Sequence, residues 1–220
     1  PKSSLFPIVH TLEQRKYIMC DAGSGKYRLG LRTYIIGASC TSQSGFEPLI
    51  NIMNSVTEST QETSQFGILE GGNVLYVAKK DSPQAIRMIS WVGTKLPANA
   101  TAIGKALLSD LTDEQIRDLY RDGLPKLTEH TISDIDLLLG QIEQIRCGEI
   151  ATETEESTPQ MRCFAVPIRQ NGRVDAALSI SVPIFRYTDE KRVQICQCLR
   201  EAQQQIEQLV GLYNFELIKP

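Results

Sequence analysis

Apolar residues recur at helical spacing at Leu5, Ile8, Val9 and Leu12, which predicts a helix over residues 3–18. Ser3 or Ser4 suits its cap, and Pro7 fits only if it falls in the first turn, which favours Ser4. Residues 17–29 then read as two short strands around a DAGSGK turn, a β-hairpin. The stripe Leu31, Tyr34, Ile35 and Ala38 predicts a helix from Leu31 to Ser44. Leu49, Ile52, Met53 and Val56 predict another over 48–60. Period-two alternation takes over at 63–69 and 74–80, joined by the strong hairpin signal Glu70-Gly71-Gly72-Asn73. Met88, Ile89, Trp91 and Val92 suggest a further strand, turning through Gly93 and Pro97 into a helix capped by Asn99. Helices follow from Thr112 to near Gly123 and over 133–147, and a strand begins near Glu149. Residues 161–168 and 174–182 alternate around Asn171-Gly172, a second hairpin, and a long helix runs over 188–212. Helix, hairpin, strand, helices, hairpin, helix implies an antiparallel sheet with helices packed on it, an α+β fold.

Composition narrows the setting. Of 220 residues, 41% are hydrophobic and 22% charged, the balance of a globular chain. No run is long and apolar enough to span a bilayer, and no signal-peptide core stands at the start. A cytoplasmic protein without a membrane is expected. The six cysteines (Cys20, Cys40, Cys147, Cys163, Cys196 and Cys198) form no CxxC pair and read as reduced thiols. With His10 and His130 far apart, neither a metal site nor a cofactor is expected. Charge is uneven: residues 1–32 hold six Lys or Arg against two acids, while the remainder holds 17 against 24. A basic start on an acidic body is what a chain shows when only its start meets a polyanion, and chance scatter is the alternative.

Candidate chemistry concentrates in two places. The helix start ANATAIGKALL offers unpaired backbone N–H groups beside small residues, a seat for a small anion, or else simply close packing. On the last hairpin Ser179 and Ser181 are two apart, so their hydroxyls share one face of a strand, near the thiol of Cys163 on its neighbour. Together they make a polar spot in an apolar sheet, unless the serines bond to backbone or face solvent. An enzyme would use Cys163 as nucleophile, yet no motif ties His130 to it; Glu153 and Glu155 in a Glu-rich turn make a poor glycosidase pair.

The stretch ANATAIGKALL, the exit Tyr27-Arg28-Leu29-Gly30 and the block from Arg162-Cys163 to Ala176-Ala177-Leu178-Ser179-Ile180-Ser181 resemble the IclR family of bacterial transcriptional regulators. Ser3-Ser4 and Thr11-Leu12 match that family's recognition helix. The resemblance implies a partial winged helix-turn-helix over 1–30, a linker helix over 31–46 and a GAF-like effector-binding domain over 47–220. The chain is then expected to be a fragment whose intact form binds operator DNA, with Ser3, Ser4, Lys26 and Arg28 at the DNA. Pro7 stands where many members carry a polar residue. The resemblance further implies a small carboxylate effector held at Ala102 and Ile103, with Glu153, Cys163, Ser179 and Ser181 contacting it and Met88 closing the pocket. Glu153 beside an anion is unfavourable unless it holds a proton or accepts a bond from a ligand hydroxyl, which points to a keto or sugar acid. The expected protein is a repressor of a carbon-catabolic operon, a homodimer or homotetramer and not an enzyme. The rival is a stand-alone sensor or interaction module without DNA binding.

Overall fold

The structure, a computed structural model, describes residues 2–43 and 46–213. By its contacts the chain divides into two units, Pro1–Pro48 and Leu49–Pro220. In the first, helix α1 (Lys2–Gln14) leads into a two-stranded hairpin, β1 (Ile18–Cys20) and β2 (Tyr27–Leu29), and then helix α2 (Leu31–Gln43). The hairpin register pairs Met19 with Arg28, and its turn is held by Asp21, whose carboxylate accepts from the Gly23 and Ser24 N–H groups at 2.8 and 2.9 Å. One correction arises here. Pro7 lies inside α1, beyond the first turn, because the helix begins at Lys2 rather than at a Ser4 cap. The side chains of Ser3 and Cys40 lie outside the described residues.

Helix α3 (Phe46–Thr60) carries the chain into the second unit, which is built on one antiparallel sheet. Its strands are β3 (Thr63–Glu70), β4 (Asn73–Lys80), β5 (Lys95–Pro97), β6 (Ala151–Thr154), β7 (Met161–Gln170) and β8 (Arg173–Pro183), in the spatial order β5-β4-β3-β8-β7-β6. Two hairpins make its centre. Each closes through a two-residue turn with positive φ at both positions, Gly71 (54°) and Gly72 (79°) in one, Asn171 (52°) and Gly172 (81°) in the other. Such turns match the right-handed twist of the strands they join. β8 then pairs with β3, Gln65 opposite Ser179 and Thr63 opposite Ser181, which fuses the hairpins into one sheet.

Helices cover both faces, so β7 and β8 are buried on both sides and read as nearly continuous apolar runs. On one face lie α3 and the long C-terminal α7 (Asp189–Tyr213), with Ile195, Leu199, Ala202 and Ile206 fully or almost fully buried. On the other lie α4 (Ala102–Leu108), α5 (Asp113–Leu119) and α6 (Ile135–Arg146). Every residue of α4 is buried, including Lys105, whose ammonium is 2.5 Å from the Glu156 carboxylate.

Two further expectations are corrected. Residues 88–92 form no strand; they belong to an irregular loop, and the strand comes later at β5. Ile89, Trp91 and Val92 stand exposed there, so an apolar run alone did not secure a place in the sheet. Nor does Asn99 cap α4. Residues Ala98–Ala100 form a 3-10 turn, and Thr101 caps the helix, its hydroxyl accepting the Gly104 N–H at 3.0 Å. Asn99 instead donates to the Pro125 carbonyl at 3.0 Å.

Candidate functional site

The pleat sets what the α4 face of the sheet presents. Residues in register share a face, so Gln65, Ser179 and Ala165 form one row, and Thr63, Ser181, Cys163 and Glu153 the next. Among these are four of the sequence-predicted residues, and all four are buried: Ser179 and Ser181 at 1% exposure, Glu153 at 2% and Cys163 at 7%. Ala102 and Ile103, in the first turn of α4, join Cys163, Tyr76, Ala165 and Ala177 in one apolar cluster. Ile103 lies over β3 where Gly67 stands, since a Cβ at Gly67 would sit 3.3 Å from the Ile103 Cδ1. The site therefore places polar groups on the strands beneath an apolar helix start.

The polar groups bond to one another. Ser181 Oγ donates to Gln65 Oε1 at 3.1 Å and lies 3.3 Å from the Cys163 thiol. Ser179 Oγ reaches the same Gln65 oxygen at 3.5 Å. The other end of the Gln65 amide donates to Ser90 Oγ at 2.6 Å. Ser90 belongs to the loop between β4 and β5, and its carbonyl accepts from the Lys79 ammonium at 2.7 Å. A single chain of contacts thus runs from β7 across β8 and β3 to that loop and back to β4. Met88 is buried in the same loop, two residues before Ser90. Ser179 also reaches the Gln65 backbone carbonyl at 3.5 Å, and the bonds from Ser179 and Ser181 to Gln65 are long, so these two hydroxyls can exchange partners with an entering ligand at small cost.

Glu153 is held differently. Its carboxylate accepts from the Glu156 N–H at 2.8 Å, the Ser157 N–H at 3.4 Å and the Ser157 hydroxyl at 3.1 Å. Burial pushes its pKa up, opposed by bonds from Cys163, the Glu156 N–H and Ser157. The proton is therefore held more tightly folded than unfolded. That contribution to stability is complete below the ordinary value of 4.5 and fades as pH rises above it. We expect the stability of the wild type relative to Glu153→Gln to fall as pH rises from about 4 to 7, read by thermal unfolding at each pH. A constant offset across that range would contradict it.

Burial also pushes the Cys163 thiol well up, with the neighbouring Glu153 charge adding to the rise. A thiol kept protonated is no nucleophile. His130 sits half-exposed beside Glu129 and Glu155, away from it. Among the described residues no group of His, Cys, Asp and Glu is placed to hold a metal. Of the residues expected at DNA, Ser4 is exposed on α1, and Lys26 and Arg28 are exposed on the hairpin of the first unit.

The sequence reading missed Gln65, Ser90, Lys79 and the Lys105–Glu156 pair. Only Gln65 left a signal, a long polar side chain on the Thr63-Gln65-Gly67 face of its strand.

The second unit is thus an α+β domain, a helix-flanked antiparallel sheet with a buried polar array under a loop. A family model described as "Bacterial transcriptional regulator IclR C-terminal" matches residues 46–208. The chain belongs to the IclR family of transcriptional regulators. It is similar to the HTH-type transcriptional regulator KdgR of Dickeya chrysanthemi, 29% identical over 217 residues that make 97% of this chain and 71% of that protein. The HTH-type transcriptional repressor AllR of Salmonella typhimurium is 27% identical over 215 residues, 96% of this chain and 79% of that protein. Among solved structures, the C-terminal domain of E. coli transcriptional regulator KdgR superposes with a TM-score of 0.67 at 28% identity, covering 76% of this chain and 98% of that one.

Proposed function

We propose that the second unit senses a small keto or hydroxylated sugar acid on the α4 face of the sheet, and that this binding alters how the protein holds operator DNA. The observation that carries the reading is the buried array of Gln65, Ser181, Ser179 and Cys163 beside Glu153, whose pKa burial pushes up. A carboxylate accepts from the serine hydroxyls, with the N–H groups of Ala102 and Ile103 as further donors; Gln65 Oε1 and Glu153 answer a ligand hydroxyl. Met88 and its loop cover the ligand.

Residues 1–30 act as the end of a winged helix-turn-helix, with Ser3, Ser4, Lys26 and Arg28 toward phosphates, and 31–46 as the linker to the effector domain, 47–220. Exposed Leu5, Phe6 and Ile8 on α1 support this, since a recognition helix buries such a face against partner helices. Exposed Leu31, Tyr34 and Ile36 on α2 suit a contact between two copies. The protein works as a homodimer or homotetramer whose subunit arrangement the acid shifts. The relative named as a repressor supports repression, and a small-acid effector suits control of carbon catabolism. The setting is cytoplasmic; no helix among the described residues is long and apolar enough to cross a membrane.

The test is a thermal-shift screen against pyruvate, gluconate, keto sugar acids and plain fatty acids. An acid at about 100 times its Kd adds about 2.7 kcal/mol of stability. We expect hits among the keto and sugar acids. Stabilisation by fatty acids alone would reverse the role given to Glu153.

A further inference from the structure

A cleft lies at the β6 edge of the sheet. It follows the edge strand β6, between α7 and the C-terminal end of α6, and has a volume of about 550 Å³. Three arginines line it, Arg162, Arg192 and Arg200. The clustering runs against the trend of the chain, which beyond residue 32 carries 17 bases against 24 acids.

The arginines converge for structural reasons. Arg192, Cys196 and Arg200 are spaced by four on α7 and so share one helix face. Both guanidiniums act on the Cys196 thiol, working against the upward push of its burial, and Cys196 lies midway between them along the helix. Arg162 comes from β7, one residue before Cys163, and the pleat turns it to the other face of the sheet from Ser179 and Ser181. Its guanidinium is stacked 4.4 Å from the Tyr187 ring centre and 5.5 Å from that of Phe164, which fixes its plane.

Their hydrogen-bonding capacity is largely unspent. Arg162 Nε is buried and has no partner among the described residues, an arrangement that costs free energy until an acceptor arrives. Arg192 makes no side-chain hydrogen bond or ion pair among the described residues. Arg200 bonds only to neutral groups, the Gly148 carbonyl and, at 3.4 Å, the Gln203 amide oxygen. Of the lining residues Glu149 alone is acidic, and it is exposed, free to turn toward water.

We propose that this cleft binds a compact organic polyanion bearing phosphate or carboxylate groups at both ends. Guanidinium groups offer forked donors that fit either anion. Eight residues of helix separate Arg192 from Arg200 by about 12 Å along the axis, a span that two anionic groups fill better than one. The site is separate from the sensor face and stands whether or not that face binds an acid.

The experiment is calorimetric titration of the chain with pyrophosphate and with citrate at constant ionic strength, alongside Arg192→Gln and Arg162→Gln. Alkylation of Cys196 by iodoacetamide, followed by peptide mass spectrometry, gives a second readout. We expect at least one anion to bind, Arg192→Gln to weaken it by about tenfold or more, and the bound anion to slow Cys196 alkylation. The tighter anion names phosphate or carboxylate as the source. Because Arg192 holds no partner, its replacement leaves the fold unburdened, and the alkylation readout needs no variant. Absence of binding at millimolar anion, unchanged affinity in both variants, or a loss confined to Ser179→Ala/Ser181→Ala would overturn the proposal.

Discussion

Lys105→Met lowers the stability of the second unit by about 3–5 kcal/mol, the largest effect expected of any single polar substitution here. The lysine is fully buried on a helix that itself has no exposed residue. Its ammonium meets Glu156 at 2.5 Å and the Thr152 carbonyl at 3.4 Å, so it ties α4 to β6 and the turn after it. Removing one partner leaves the other charged and desolvated, and that penalty, more than the attraction lost, sets the cost. Glu156→Leu alone is expected to be comparably harmful, because it strands the ammonium. The double substitution Lys105→Met/Glu156→Leu should recover much of the loss, since an apolar pair of similar volume needs no desolvation. Urea unfolding of the four proteins checks this. Additive single effects would show that the pair is not coupled.

Gly104→Ala is the second large effect, about 3 kcal/mol or more, and its cause is steric. A Cβ at residue 104 would stand 2.2 Å from the Ala98 carbonyl oxygen and 2.3 Å from the Ala98 Cα. Both are backbone atoms of the 3-10 turn that feeds α4, so nothing flexible can yield. The turn and the helix must separate, and the first turn of α4, with Ala102 and Ile103, moves with them. We therefore expect Gly104→Ala to weaken acid binding as well as stability. The fall in melting temperature and the loss of the ligand-induced shift should appear together. A variant as stable as the wild type would contradict the close approach.

How much of this could be read beforehand depended on how local the cause was. The Gly71-Gly72 and Asn171-Gly172 hairpins were legible because the turn chemistry lies within two residues. The shared face of Ser179 and Ser181 followed from the period of a strand. The stretch 88–92 misled because apolar character reports a preference for burial and not a place in a ladder; only Lys95–Pro97 pair with β4 as a strand. Asn99 and Thr101 are both good caps, and the choice fell to the 3-10 turn that occupies Ala98–Ala100. Gln65 could not be joined to the serines without knowing that β3 lies beside β8, a contact spanning more than a hundred residues. Lys105 was hidden by its type, since a lysine on a helix is ordinarily exposed. The arginine cleft required Arg162 and the α7 stripe to be seen from the same side.

The central claim is that the α4 face binds a small acid through the serine and glutamine array. Titration calorimetry of gluconate and pyruvate into the wild type and Ser179→Ala/Ser181→Ala tests it most directly. The account predicts that at least one acid binds and that the double variant, still folded, binds it about tenfold or more weaker. Equal affinity in the two proteins would place the acid elsewhere and contradict the account.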